Sequence, residues 1–101
     1  MENSLLFSRI REIIKAWDPE RLLALGAPED EYEGEVRDIL SMINEISYPD
    51  DATKIIADIF SRSFSSSDGS YKVVYKLEHC CNAGEQVWKA IRYYKDESLS
   101  R

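Results

Sequence analysis

The chain has 101 residues, 44% of them hydrophobic and 32% charged, with two cysteines and a net charge of −6. This balance predicts one globular domain (1–101) with its own core, and excludes a disordered polymer or a disulfide scaffold. The charge is uneven: residues 17–51 carry eleven acids against Arg21 and Arg37, a net −9, which argues against nucleic acid or an anionic membrane as partner.

No apolar run approaches the roughly 20 residues that cross a bilayer. The start, Met1-Glu2-Asn3-Ser4-Leu5-Leu6-Phe7, lacks a basic segment and is soon interrupted by Arg9 and Arg11. It is therefore not read as a signal peptide. The adjacent pair Cys80-Cys81 forms no disulfide framework. The expected setting is reducing and cytoplasmic.

The first helix is expected over 4–17. Leu6, Ile10, Ile13, Ile14 and Trp17 recur at spacings of three and four, the signature of one buried helical face. Asn3 or Ser4 can cap it. A connection follows. Asp18 before Pro19 has the pattern of an N-cap followed by proline at the first helical position. It predicts a short turn from Pro19 to Leu25, ended by Gly26. Pro28 blocks further helix and holds Ala27 extended. Trp17 and Tyr32 flank this connection as amphipathic anchors, each expected mostly buried with its polar atom paired.

The second helix is expected over 33–46, with Val36, Ile39, Leu40, Ile43 and Ile46 as its apolar stripe. Its acid-rich start suits the positive end of the helix dipole. After Ser47-Tyr48-Pro49 a third helix is expected over 51–64, on Ile55, Ile56, Ile59, Phe60 and Phe64. Asp50 is its expected N-cap, with Ser47 the alternative if Pro49 lies inside the first turn. The serine-rich stretch 65–70 reads as a flexible surface loop.

Tyr71 to Lys76 has strand propensity. No second strand-like run exists to pair with it, and a lone strand leaves its backbone groups unsatisfied. A fourth helix is therefore expected from Tyr71 or Val74 to Tyr94, with a frayed tail at 96–101. Gly84 lies inside it and points to close packing or a bend. The fold class is all-α: a four-helix, bundle-like single domain with short connections and a structured link between helices one and two.

Catalytic patterns are absent. His79, Cys80 and Cys81 are consecutive, so on a helix they point about 100° apart and cannot close a tetrahedral metal site alone. One cysteine is expected in the core and the other partly exposed. The four glycines form no phosphate loop. No metal, cofactor or catalytic residue is expected. The strongest surface feature is the carboxylate cluster Glu29, Asp30, Glu31, Glu33, Glu35 and Asp38. It reads as a solvated helix start, as a surface for a basic protein, or as a Ca²⁺ or Mg²⁺ site whose spacing is not that of an EF-hand loop.

At Trp17-Asp18-Pro19, Leu22-Leu23, Gly26-Ala27-Pro28 and Asp30-Glu31-Tyr32 the chain resembles the YugE-like family of small bacterial helical proteins of unknown function. There a first helix ends in W-D/N-P, followed by L-L, G-A-P and D-E-Y and then a helix. The resemblance extends to the I-x-x-I-F-x-x-x-F pattern within Ile55 to Phe64, and the segment after Phe64 matches weakly. It implies an all-helical, cytoplasmic, non-enzymatic protein. Proteins resembling this family also occur as immunity proteins beside bacterial toxins. Trp17, Asp18, Pro19, Gly26, Pro28 and Tyr32 then read as scaffold that shapes a corner.

The resulting expectation is an immunity protein that neutralises a basic toxin domain through its acidic surface, with no nucleic acid and no membrane involved. The alternative is a stand-alone structural or regulatory protein. It would be a homodimer if exposed aromatics of the fourth helix (Tyr71, Tyr75, Tyr93, Tyr94) build an interface.

Overall fold

Leu6, Ile10, Ile13 and Ile14, the stripe that spacing places on one face of the first helix, are all buried in the structure. The structure is a computed structural model that describes residues 4–28, 31–66, 68–70 and 72–99, with Ser4 and 95–99 described by their backbone alone. The first helix, α1, spans Ser4–Trp17. The second, α2, spans Glu33–Ser41. Then come α3, Pro49–Ser63, and α4, Leu77–Leu99. No strand is present among the described residues. The fold is all-α and a single domain, with pairings α1–α2, α2–α3, α3–α4 and α4–α1 closing into a ring.

The second helix is shorter than its apolar stripe. It ends at Ser41, whose hydroxyl donates to the Asp38 carbonyl at 2.6 Å, a back-bond that competes with helix continuation. A 3₁₀ turn at Ile43–Glu45 follows. Ile46 is extended yet only 6% exposed. It therefore reaches the core from a bend, although its spacing is helical.

The start of α3 corrects the expected cap. Pro49 is the first helical residue and Tyr48, extended as the residue before proline must be, is the N-cap position. Asp51, in the first turn, accepts the amides of Ser47 at 3.0 Å and Tyr48 at 3.1 Å. Asp51 thus holds the two amides that precede the helix, and neither Asp50 nor Ser47 is the N-cap.

The largest packing surface is between α3 and α4, and small residues allow it. A Cβ built on Gly84 would lie 2.8 Å from both the Cα and the N of Thr53, so only glycine permits this approach. Ala52, Ala57, Cys80, Ala83 and Ala90 are buried with it. Gly84 marks close packing, one of its two expected roles. Cys80 is buried and Cys81 exposed, and burial, then Cys81, pushes the Cys80 thiol up to about 11.

The α3–α4 connection departs most from expectation, because neither helix nor ladder strand forms at 72–76. Val73 and Tyr75 are half-buried while Lys72, Val74 and Lys76 are exposed, the period-two pattern of an extended chain. One edge of its backbone is satisfied by side chains of α3 and its end. The Val73 amide donates to Ser65 Oγ at 2.8 Å and the Tyr75 amide to Ser61 Oγ at 2.8 Å. Two serines one helical turn apart thus match two amides two residues apart in an extended segment. The loop before it is also ordered by a specific group. Asp68 accepts the Ser70 amide at 3.0 Å and the hydroxyls of Ser70 at 2.7 Å and Ser66 at 2.8 Å. The Ser70 amide, then these hydroxyls, hold its carboxyl down to about 2. The 18–32 connection has the expected bounds, while 64–76 is longer than expected. Tyr71 lies outside the described residues. The tail at 96–101 does so in part, and its backbone is helical as far as Leu99.

Candidate functional site

The acidic segment is carried by the corner between α1 and α2. Asp18 ends α1 with its amide donating to the Ile14 carbonyl at 2.8 Å and a left-handed backbone, φ 42°. This is not the extended conformation of an N-cap. Asp18-Pro19-Glu20-Arg21 then closes as a turn, the Arg21 amide donating to the Asp18 carbonyl at 2.9 Å. Helical winding starts at Leu22, not at Pro19. It stops at Gly26, φ 97°, where the Ala27 amide reaches Leu22 O at 2.9 Å and the Gly26 amide reaches Leu23 O at 3.1 Å. This pair of bonds is the Schellman ending that glycine favours.

Asp18 caps that turn from four residues before it. Its Oδ1 accepts the Leu23 amide at 3.2 Å and its Oδ2 the Ala24 amide at 3.0 Å. The same Oδ1 accepts the Tyr32 hydroxyl at 2.6 Å. Desolvation raises the Asp18 pKa, but the Tyr32 hydroxyl and the amides of Ala24, Leu23 and Leu22 together outweigh it. The carboxyl is held below its ordinary 3.8. Tyr32, 1% exposed, is pushed up to about 12 by burial and then by Asp18. Its oxygen accepts the Glu20 amide at 3.1 Å.

A second phenol ties the corner to the far end of the chain. Tyr75 donates its hydroxyl proton to Glu20 Oε2, and burial, then Glu20, raises its pKa well above 10. Behind these groups lies an aromatic cluster centred on Phe60. Its ring lies 5.3 Å from Trp17, 6.0 Å from Tyr32 and 5.6 Å from Tyr75. Phe64 stacks on Phe60 at 6.0 Å. Trp17 is half-buried and walls one side of an open groove of about 500 Å³ that also borders Pro19, Val74, Tyr75 and His79. Pro19 thus lies in the turn after α1, Gly26 ends the next turn, and Tyr32 is buried against Phe60.

The acids separate into two groups. Asp18, Glu20 and Asp51 are occupied by hydrogen bonds within the fold. Glu33 pairs with Arg37 at 3.3 Å on one side of α2. Glu35 and Asp38, three residues apart, lie on the other side. Glu31, Asp38 and Glu45 are exposed and Glu35 partly so. None of these four has a cationic partner among the described residues. Glu29 and Asp30 lie outside the described residues. The structure therefore splits the six-residue cluster: Glu33 faces away from Glu35 and Asp38.

Among the described residues no group of three His, Cys, Asp or Glu side chains converges as metal ligands would. His79 is exposed at the start of α4, with Cys80 turned inward. No helix of the described residues is long and apolar enough to cross a membrane. The four tyrosines grouped as one candidate aromatic face do not form one. Tyr75 precedes α4 and belongs to the corner, Tyr71 is not described, and Tyr93 packs edge-on against Tyr94 at 5.0 Å.

Glu20, Tyr75, Ser61 and Ser65 are the structural participants that sequence reading missed. Glu20 counted there only as charge, and Ser65 only as loop. The Glu20–Tyr75 pair spans 55 residues and left no local signal. The serine pair did leave one, a four-residue spacing on α3 before an alternating segment.

Comparison with curated proteins finds no match, and neither does comparison with solved structures. One family model does match, over residues 9–87, which takes in α1 from Arg9 on, the corner, α2, α3 and the first half of α4. The chain belongs to that family, described as a domain of unknown function (DUF1871).

Proposed function

We propose that the chain is a non-enzymatic, cytoplasmic protein-binding module, an immunity protein that neutralises a basic bacterial toxin domain. The observation that carries this reading is the set of acids left over by the fold. Glu31, Glu35, Asp38 and Glu45 have no cation of their own among the described residues. Held just before α2, along it and in the turn that follows, such carboxylates steer a basic partner and pair with its Lys and Arg side chains at little conformational cost. The resemblance to the YugE-like family supplies the immunity class.

The test is capture of the product of the neighbouring upstream gene. The expected result is a basic toxin domain bound in a salt-sensitive manner and at least tenfold weaker by the Glu31→Lys/Asp38→Lys variant. A neighbour with no toxin domain and no captured product, or equal binding by the variant, overturns the proposal. A second reading, a homodimeric structural protein, draws on Tyr93, 64% exposed, beside a 420 Å³ cleft that it shares with Arg9 and Lys89. Light scattering separates the two: a monomer at all concentrations removes the homodimer.

A further inference from the structure

The inner edge of segment 72–76 is occupied by Ser61 and Ser65, while its outer edge is open. The Val74 amide and carbonyl have no hydrogen bond among the described residues, and Val74 is 68% exposed. An extended chain with one free edge is a template for a further strand. The lysines on either side decide which strand it accepts. Lys72 and Lys76 are both exposed and flank Val74 symmetrically. If two copies paired antiparallel about Val74, Lys72 of each would face Lys76 of the other, and directly opposed like charges are unfavourable. The pattern therefore disfavours self-pairing and favours a strand with acids around an apolar residue.

We propose that Lys72–Lys76 is a docking edge for an extended acidic segment of a partner protein, which adds as a strand at Val74 and sets its carboxylates against Lys72 and Lys76. The apolar side chain of that strand lies over Val74, beside the groove that Val74 shares with Trp17 and Pro19. This site is separate from the acidic side of α2 and selects the opposite charge.

The probe is a capped Glu-Thr-Val-Thr-Glu peptide, whose alternate residues set Glu, Val and Glu on one face, followed by backbone NMR of the full chain. The expected result is salt-sensitive binding with shifts centred on residues 72–76, and none with Lys-Thr-Val-Thr-Lys. Lys72→Glu/Lys76→Glu should weaken binding at least tenfold. Val74→Pro should abolish it, because proline removes the outward amide while keeping the preceding residue extended. If Val74→Pro does not fold, a peptide N-methylated at alternate amides gives the same reading on the native protein, and loss of binding is again expected. No binding, shifts centred elsewhere, or equal binding by the N-methylated peptide overturns the proposal. So does a concentration-dependent dimer that Val74→Pro disrupts, which would assign the edge to a second copy.

Discussion

The Tyr32 hydroxyl sits 2.6 Å from Asp18 Oδ1, across fourteen residues of chain, so the end of α1 and the start of α2 share one hydrogen bond. Tyr32→Phe keeps the ring against Phe60 and removes only this bond and the acceptor for the Glu20 amide. Urea unfolding should show a loss of about 1 kcal/mol. A loss below a few tenths would mean the bond does not stabilise the corner.

The two phenols also set a pH dependence. Their folded pKa values are raised, so the stability they contribute is fully present below the ordinary tyrosine value of 10. It is lost as pH rises, for Tyr32 through about 12. Asp18 has the opposite sense: its contribution is present above 3.8 and is lost as pH falls through its lowered folded value. Ultraviolet titration of the folded protein should show two late-ionising phenols, and Tyr32→Phe and Tyr75→Phe should each remove one. Tyr32→Phe should also lose less stability between pH 10 and 12 than the native chain.

Two glycine substitutions should have opposite signs. Gly84→Ala drives a methyl group into the Thr53 backbone, and overpacking of this kind costs about 1–3 kcal/mol. Gly34→Ala meets nothing within 4 Å in the first turn of α2 and should gain about 0.5 kcal/mol by restricting the unfolded chain. Thermal unfolding of both variants checks the pair. A Gly84→Ala protein as stable as the native chain would place α4 farther from α3.

Trp17→Ala removes the ring that packs edge-on against Phe60 and Tyr75. Because the ring is half-buried, the loss should fall near the lower end of the usual range for a large aromatic, about 3 kcal/mol. A change under about 1 kcal/mol in denaturant unfolding would show that the ring is peripheral.

Ser61→Ala leaves the Tyr75 amide without its acceptor. The expected cost is about 1 kcal/mol, with faster hydrogen exchange at Tyr75. Unchanged exchange there would contradict the tie between α3 and the extended segment.

The legible parts of this fold were those with a local period. The bounds of α1 follow from its three- and four-residue stripe. That one of Cys80 and Cys81 turns inward follows from helical geometry, but which one does, and that Gly84 marks close packing and not a bend, came only from the structure. The illegible parts depended on partners distant in sequence. The rule that a lone strand cannot satisfy its backbone was sound for ladders, but it took no account of serine hydroxyls on α3. Asp18 was expected as the N-cap of a turn starting at Pro19; its backbone is instead left-handed and its carboxylate reaches farther on, to the Leu23 and Ala24 amides. The split of the acidic cluster could have been read from helical angles alone, since Glu33 and Glu35 are about 200° apart on α2.

The Glu20–Tyr75 hydrogen bond joins positions 55 residues apart, and this separation governs when the corner can form. During synthesis, α1, the corner and α2 emerge first, but the phenol that holds Glu20 arrives only after α3 and the loop that follows it. A chain halted before Tyr75 would carry the corner with Glu20 lacking this donor. The last tie of the corner is thereby made only once α3 and the segment after it have been synthesised.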